Sequence, residues 1–311
     1  MKFIIDVLKG TVMGIANVIP GVSGGTMAVA MGIYDKLINA ITHLFKEFKK
    51  SFFTVLPIGI GMIIGIVGLS MVINWMFGTI PIETNLLFIG LILGGIPAII
   101  GRIKGKGIKA AYIAGFILFF ALVVGLSFVQ KTTESEKAQL EEAETQEAEE
   151  GLVPPIEIDA VEIAVLFFIG VIAAATMVIP GVSGSMMLML LGYYTIIIGA
   201  VSGAVHSLSK GDTASLITDC VILLPFGIGV VVGIFGVAKL IEILLNKFET
   251  ITFWCIMGLI AGSPVAIIVI NSDIFRKINV GSTLAGVFAL AVGCVIAFFL
   301  GRDPEKAADG E

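Results

Sequence analysis

Apolar positions in this chain run on in unbroken stretches separated by short polar seams, with little of the alternation of a strand or a half-buried helix. Residues 52–77, 85–100, 110–129, 160–179, 182–205, 216–245, 253–270 and 280–300 are such stretches. Most approach the ~20 residues with which a helix crosses a ~30 Å hydrocarbon core. Toward the N-terminus the runs are shorter, ten residues over 10–19 and thirteen over 22–34. Runs of roughly 10–14 residues more often dip into a membrane and return. The pattern predicts an all-α polytopic membrane protein. Its first element is a re-entrant helical hairpin over about 10–41, followed by a basic interfacial seam at 42–51.

Two of the stretches are broken by nearly the same phrase. Val18-Ile19-Pro20-Gly21-Val22-Ser23-Gly24-Gly25-Thr26 recurs as Val178-Ile179-Pro180-Gly181-Val182-Ser183-Gly184-Ser185-Met186. Proline stops one helix, and Gly-x-Ser-Gly starts the next with free backbone N–H groups and small hydroxyls. Buried at membrane depth, such a break suits an anionic group. A packing kink would also use small residues, but it does not require Pro, Gly, Ser and Gly in the same order twice. No Lys follows Gly24-Gly25-Thr26, which excludes a nucleotide-binding P-loop.

The duplication extends beyond the motif. Aligned, residues 18–41 and 178–201 are identical at 12 of 24 positions. Leu56-Pro57-Ile58-Gly59-Ile60-Gly61 answers Leu224-Pro225-Phe226-Gly227-Ile228-Gly229, and Gly90 and Gly94 answer Gly258 and Gly262. The expected layout is therefore two repeats, each a re-entrant hairpin plus about three transmembrane helices. Repeat 1 covers 1–130, with its hairpin at about 10–41 and spans at about 52–77, 85–100 and 110–129. An acidic extracytoplasmic loop follows at 131–155. Repeat 2 covers 156–301, with a hairpin at about 160–205 and spans at about 216–245, 253–270 and 280–300. A cytoplasmic tail occupies 302–311. The stretch 182–205 is apolar enough to span, so a re-entrant hairpin is better defined in the first copy.

Composition changes this picture little: 57% of residues are hydrophobic, 14% are charged and 38 are Gly, as expected where membrane helices pack backbone to backbone. Charge adds orientation. With the N-terminus cytoplasmic, twelve Lys or Arg fall on that side and five on the other, Lys36 and Lys239 lying near span ends. The bias places both termini in the cytoplasm of a cell-membrane protein. An odd number of crossings per half, three or five, then makes the repeats inverted. The net charge of −5 comes largely from eight glutamates within 130–151, a segment too polar to pack and expected as a solvated loop or frayed helix. Asp6 and Lys9 interrupt the N-terminal apolar run, and no small-x-small site follows, so a cleaved signal peptide is not expected. Cys220, Cys255 and Cys294 lie far apart in apolar segments, with no disulfide, metal or cofactor expected. Nothing points to nucleic acid.

The candidate binding residues are Asn17, Pro20, Gly21, Val22, Ser23, Gly24, Gly25 and Thr26 in the first copy, with Pro180, Gly181, Val182, Ser183, Gly184 and Ser185 in the second. Asn17 either orients a ligand or bonds a carbonyl freed by the break. The first copy keeps Asn17 and Thr26 where the second has Met177 and Met186, so it is the expected preferred partner of an anion. Tyr34 and Tyr194 occupy equivalent places and read as interfacial anchors. His43 and His206 read as interfacial too. Asp35, Lys36, Lys239 and Glu242 lie near span ends, where snorkelling is the default. Asp35 is the best candidate for a proton carrier. Arg102 suits an anionic head group, though positive-inside charge explains it equally.

The phrase from Asn17 to Thr26 with Gly32-Ile33-Tyr34, and its second-half echo through Gly192-Tyr193-Tyr194, resembles the polyprenyl-phosphate transporter family, the undecaprenyl-phosphate translocases. The resemblance covers nearly the whole chain outside the acidic segment. It implies return of polyprenyl phosphate from the outer to the cytoplasmic leaflet for reuse in cell-envelope glycan synthesis. The family's pattern often carries Asp where this chain has Asn17, so a carboxylate role is missing there. A lipid phosphate needs a donor-rich pocket for its head and a lipid-facing groove for its tail, and inverted halves supply two related conformations.

Two other classes compete. A carrier or channel for a small inorganic anion could use the same helix ends. A membrane polyprenyl-diphosphate phosphatase would need a nucleophile or base beside the phosphate, and neither motif contains His, Glu or Arg.

Overall fold

The computed structural model describes residues 2–18, 22–149, 159–276 and 279–301, and among these every regular element is helical. The elements are α1 (Lys2–Val18), α2 (Gly24–Ala30), α3 (Tyr34–Thr42), α4 (Phe48–Ile63), a π-helical turn (Ile64–Gly68), α5 (Ser70–Thr79), α6 (Pro81–Ile103) and α7 (Ala110–Glu149). They continue as α8 (Ala160–Val178), α9 (Gly184–Leu190), α10 (Tyr194–Lys210), α11 (Thr213–Lys247), α12 (Glu249–Ile270), α13 (Ser272–Phe275) and α14 (Val280–Gly301). Among the described residues, seven segments are long and apolar enough to cross a membrane: Phe48–Gly68, Pro81–Ile103, Ala110–Thr132, Ala160–Val178, Ser215–Lys247, Glu249–Ile270 and Val280–Gly301. This is a multi-pass membrane protein. Large apolar side chains such as Phe168, Leu224, Leu284 and Phe288 stand exposed on these helices, as a hydrocarbon solvent permits.

Several boundaries differ from the sequence reading. The span expected at 52–77 is not continuous: α4 runs through Pro57, then winds into the π turn before α5. The span expected at 85–100 is longer at both ends, because Pro81 takes the first position of α6, where its missing N–H costs nothing. Thr84, just outside the expected span, and Asn85, its expected first residue, are both buried. Each bonds back one turn, Thr84 Oγ1 to the Ile80 carbonyl at 2.7 Å and Asn85 Nδ2 to the Pro81 carbonyl at 2.8 Å. The acidic stretch continues α7 as helix to Glu149, and 150–158 and the tail 302–311 lie outside the described residues. The second hairpin comprises α8, itself long enough to span, then α9 and α10 bent by 115°.

The chain divides into two compact units. The first contains 1–127, 178–183 and 237–311; the second contains 128–177 and 184–236. The turn of the second Pro-Gly-Val-Ser phrase thus belongs to the first unit. In the first unit, buried Met27, Met31, Ile33, Ile58, Ile92, Ile260 and Ile267 form one core. Helices there approach at glycines. A methyl at Gly61 of α4 would overlap the Val7 carbonyl of α1, and one at Gly90 of α6 would overlap the Leu290 carbonyl of α14. Gly258 of α12 meets the Phe116 carbonyl of α7 in the same way. In the second unit, Ile169, Ala173 and Leu188 form the core with Phe226 and Tyr193 against them. There Gly229 of α11 lies on the Phe167 carbonyl of α8. The sequence counterparts Gly61 and Gly229 therefore make the same kind of contact, each inside its own unit.

Candidate functional site

The first broken helix is built around small buried residues. Ser23 precedes α2 in an extended conformation (φ −101°, ψ 135°), so its carbonyl accepts from the Met27 N–H and the helix starts cleanly at Gly24. Val22, Ser23, Gly24, Gly25 and Thr26 are all buried. Pro20 and Gly21 lie outside the described residues. The Ser23 hydroxyl does not cap its own helix.

Asn17 serves a donor freed by the break, through its side-chain oxygen. Its Oδ1 accepts from the Gly24 N–H at 3.2 Å, joining the last turn of α1 to the first of α2. The break frees N–H groups at the start of α2 as well as carbonyls at the end of α1, and the amide oxygen serves the former. Gly24 allows this approach, since a Cβ there would lie 2.5 Å from Asn17 Oδ1.

The second phrase turns through Gly181 at φ +86°, with a hypothetical Cβ 3.0 Å from Val123 Cγ2 and 3.1 Å from the Leu259 carbonyl. Both the left-handed backbone and the close neighbours require glycine there. Its N–H donates to Thr26 Oγ1 at 2.7 Å, and Thr26 is fully buried. On the other side of Pro180, Tyr34 donates its hydroxyl to the Val178 carbonyl at 3.1 Å. Tyr34 is not an interfacial anchor: it is 5% exposed, and burial together with the Asp35 charge pushes its phenol well above the ordinary value. Packing against the second phrase draws it inward. The first copy thus holds the turn of the second by two side chains, one accepting and one donating. Val182 is buried and Ser183 half-buried, whereas Gly184 and Ser185 begin α9 in the second unit.

Next to Tyr34 the polarity changes. Asp35 faces Arg102 of α6, Oδ2 to Nη2 at 3.1 Å, and the guanidinium lies 5.7 Å from the centre of the Phe253 ring. Burial raises the Asp35 carboxyl above its ordinary range, Arg102 opposes the shift and Glu249 adds to it. A cleft of about 350 Å³ opens here, lined by Asp35, Asn39, Arg102, Glu242, Asn246 and Glu249 among others. The acids are matched. Lys239 reaches Glu242 at 2.8 Å, His43 Nε2 stands 4.0 Å from the same carboxylate, and Lys106 pairs with Glu249. On the far side of α3, Lys36 meets Asp6 of α1 at 2.6 Å. The residue that seemed only to interrupt an apolar run is a buried partner of α3.

The sequence reading proposed Asp35 and Arg102 separately, and the fold brings them into contact. It missed Glu249 and Asn246, which join the cleft because the α11–α12 junction returns beside α3. No spacing along the chain carries that information.

Comparison with known proteins gives a consistent answer. Residues 13–284 match the family described as undecaprenyl phosphate translocase-like. A polyprenyl-phosphate transporter of Vibrio cholerae is 30% identical over 280 residues, covering 85% of this chain and 77% of the relative. A polyprenyl-phosphate transporter of Staphylococcus aureus is 29% identical over 301 residues, 96% of each chain. No solved structure matches. The duplicated Pro-Gly-Val-Ser phrases, the apolar helices and this match over most of the length agree: the chain belongs to the undecaprenyl phosphate translocase-like family.

Proposed function

We propose that this protein moves polyprenyl phosphate from the outer to the cytoplasmic leaflet of the cell membrane, returning a lipid carrier for reuse. The observation that carries the reading is the meeting of the first broken-helix phrase with the turn of the second inside one unit, through Thr26 with Gly181 and Tyr34 with Val178. Two relatives named as polyprenyl-phosphate transporters support the substrate class. The phosphate is held by the backbone donors of Ser23, Gly24, Gly25, Thr26 and Ser183, and by the hydroxyls of Ser23, Thr26 and Ser183. Gly24 and Gly181 exchange Asn17 and Thr26 for phosphate oxygens as it enters. Charge-assisted bonds to several backbone N–H groups suit a dianionic head at low dielectric.

In this reading the two halves are inverted repeats with cytoplasmic termini, the hairpins are re-entrant, and exchange between two related conformations opens the site to either leaflet. The head crosses at the motifs while the prenyl chain remains in lipid. Neither phrase contains His, Asp, Glu, Lys or Arg to activate its hydroxyls, and in this reading the lipid leaves chemically unchanged.

The experiment is reconstitution in proteoliposomes with labelled polyprenyl phosphate and, in parallel, soluble phosphate. Transport of the lipid in preference to the soluble anion is expected. Ser23→Ala with Ser183→Ala should slow flipping while the protein remains monodisperse and thermally intact. Transport of soluble phosphate alone overturns the reading, and so does release of inorganic phosphate from a polyprenyl diphosphate.

A further inference from the structure

We infer that Arg102 is a docking point for a phosphomonoester head group outside the paired motifs, and that Asp35 is the internal anion which the head group displaces. The inference rests on the lipid-phosphate reading above and names a second station for the same substrate class.

The guanidinium is presented as a receptor. One face lies over the Phe253 ring at 5.7 Å, which leaves its N–H edge for oxygens. The Asp35 carboxylate is the guanidinium's ion-pair partner, with Oδ2 3.1 Å from Nη2. A planar guanidinium bonds a carboxylate and a phosphate with the same two-pronged geometry, so Asp35 is a chemical stand-in for a phosphomonoester. Both side chains remain accessible, 54% for Arg102 and 40% for Asp35. The cleft they share, about 350 Å³, falls within the roughly 300–1,000 Å³ of small-ligand sites.

The neighbouring charges leave Arg102 as the cation available for exchange. Glu242 is bonded to Lys239, and Glu249 to Lys106. A displaced Asp35 carboxylate also has somewhere to go. Asp35 also lines a second cleft of about 390 Å³ with Lys36, Glu47, Lys50, Ser51 and Thr54, in which Lys36 is paired with Asp6 and Lys50 with Glu47. A displaced carboxylate therefore stays in a polar, open cleft beside two already paired ammonium groups, rather than being buried in hydrocarbon at the cost of an isolated charge.

Docking is coupled to the motifs through one helical turn. Asp35 follows Tyr34 at the start of α3, and Tyr34 holds the Val178 carbonyl of the second phrase. The Asp35–Arg102 pair pins that turn to α6. A head group that takes Arg102 unpins it, and Tyr34 then loses its hold on Val178. Arrival of substrate at the edge of the unit thereby loosens the turn that the phosphate must next engage.

The test uses the full chain in phosphatidylcholine nanodiscs, titrated with farnesyl phosphate and with inorganic phosphate. Asp35→Asn removes the competing anion and is expected to tighten farnesyl phosphate binding several-fold. Arg102→Ala is expected to weaken it by about tenfold or more, as for loss of a charged hydrogen-bonding partner. In the double variant the Asp35→Asn gain should vanish. Arg102→Lys keeps the charge without the fork, covers the case of a misfolded alanine variant, and should retain only part of the gain. A gain that persists without Arg102, or no gain in Asp35→Asn, overturns the inference. A gain confined to inorganic phosphate assigns the site to the free anion and overturns the lipid-head assignment. The larger reading fails separately: a wild-type chain that does not move polyprenyl phosphate between leaflets removes it, whatever Arg102 binds.

Discussion

Thr26 Oγ1 accepts the Gly181 N–H at 2.7 Å, a bond between residues 155 positions apart that ties the first broken helix to the turn of the second. The bond has no counterpart in the repeat. Where the first copy has Thr26, the second has Met186, and a thioether is a poor acceptor. If the halves exchange roles between two conformations, only the one described here gains this contact. Thr26→Val keeps the shape and removes the acceptor, leaving the Gly181 N–H without its partner. The expected loss is roughly 1–3 kcal/mol, read as a lower midpoint of thermal unfolding in detergent. Thr26→Ser should restore most of it. An unchanged midpoint in Thr26→Val would show that water or another group satisfies Gly181 equally well.

Tyr34 makes the companion contact across Pro180, donating to the Val178 carbonyl at 3.1 Å. Tyr34→Phe removes one neutral hydrogen bond at nearly constant volume, and about 0.5–1.5 kcal/mol of stability should go with it. Because both bonds grip one short turn, the Thr26→Val and Tyr34→Phe losses should fall short of additive in the double variant. Strict additivity would mean that the turn stays in place when either side chain is lost. The same two variants should alter lipid-phosphate flipping in proteoliposomes in the same direction, since each releases the same segment.

The sequence made the membrane class and the duplication legible because both are written in local pattern: long apolar runs, and a phrase repeated with its glycines in register. Helix ends were less legible where a side chain supplied what the pattern seemed to lack. Thr84 and Asn85 look polar until their bonds to the Ile80 and Pro81 carbonyls are seen. Asp6 looks like a defect in an apolar run until Lys36 is placed against it. The site was legible only as an inventory. Asp35 and Arg102 were each visible as charges near span ends, where snorkelling explains either alone. Their pairing depends on the fold bringing the start of α3 beside the end of α6, and the hold of Tyr34 on the second phrase likewise joins residues far apart in the chain. Those contacts are set by tertiary packing, which spacing along one chain does not encode.

Helix approach at glycine gives a prediction independent of the ligand. Gly61 of α4 sits against the Val7 carbonyl and the Thr11 N–H of α1, whereas Gly59, two residues earlier, has no neighbour within 4 Å of a would-be Cβ. Gly61→Ala should separate α1 from α4, lower the unfolding midpoint by several degrees and, because α3 packs against α4, weaken the Asp6–Lys36 contact between α1 and α3. Gly59→Ala should be neutral or mildly stabilising, because alanine has the higher helix propensity by about 1 kcal/mol. Comparable damage from both substitutions would mean that the α1–α4 contact is not the source of the effect.

Gly32 and Gly192 end the corresponding short helices α2 and α9 with left-handed backbones, φ +66° and +77°. At each, the next residue closes the turn: the Ile33 N–H bonds the Ala28 carbonyl and the Tyr193 N–H bonds the Leu188 carbonyl, both at 2.9 Å. Alanine in a left-handed conformation costs about 1–2 kcal/mol, and that part should be shared by both positions. The surroundings differ. A Cβ at Gly32 would lie 3.1 Å from the Gly301 carbonyl at the end of α14, while nothing stands within 4 Å of one at Gly192. Gly32→Ala should therefore cost more than Gly192→Ala, because strain is joined by a contact that α14 must relieve by moving. Since Tyr34 and Asp35 follow two and three residues after Gly32, that movement should also reach the Val178 and Arg102 contacts. Gly32→Ala is thus expected to depress transport beyond its effect on stability, and Gly192→Ala is expected to depress the two in proportion. Equal unfolding midpoints and equal transport rates for the two variants would show that the α14 terminus yields without consequence.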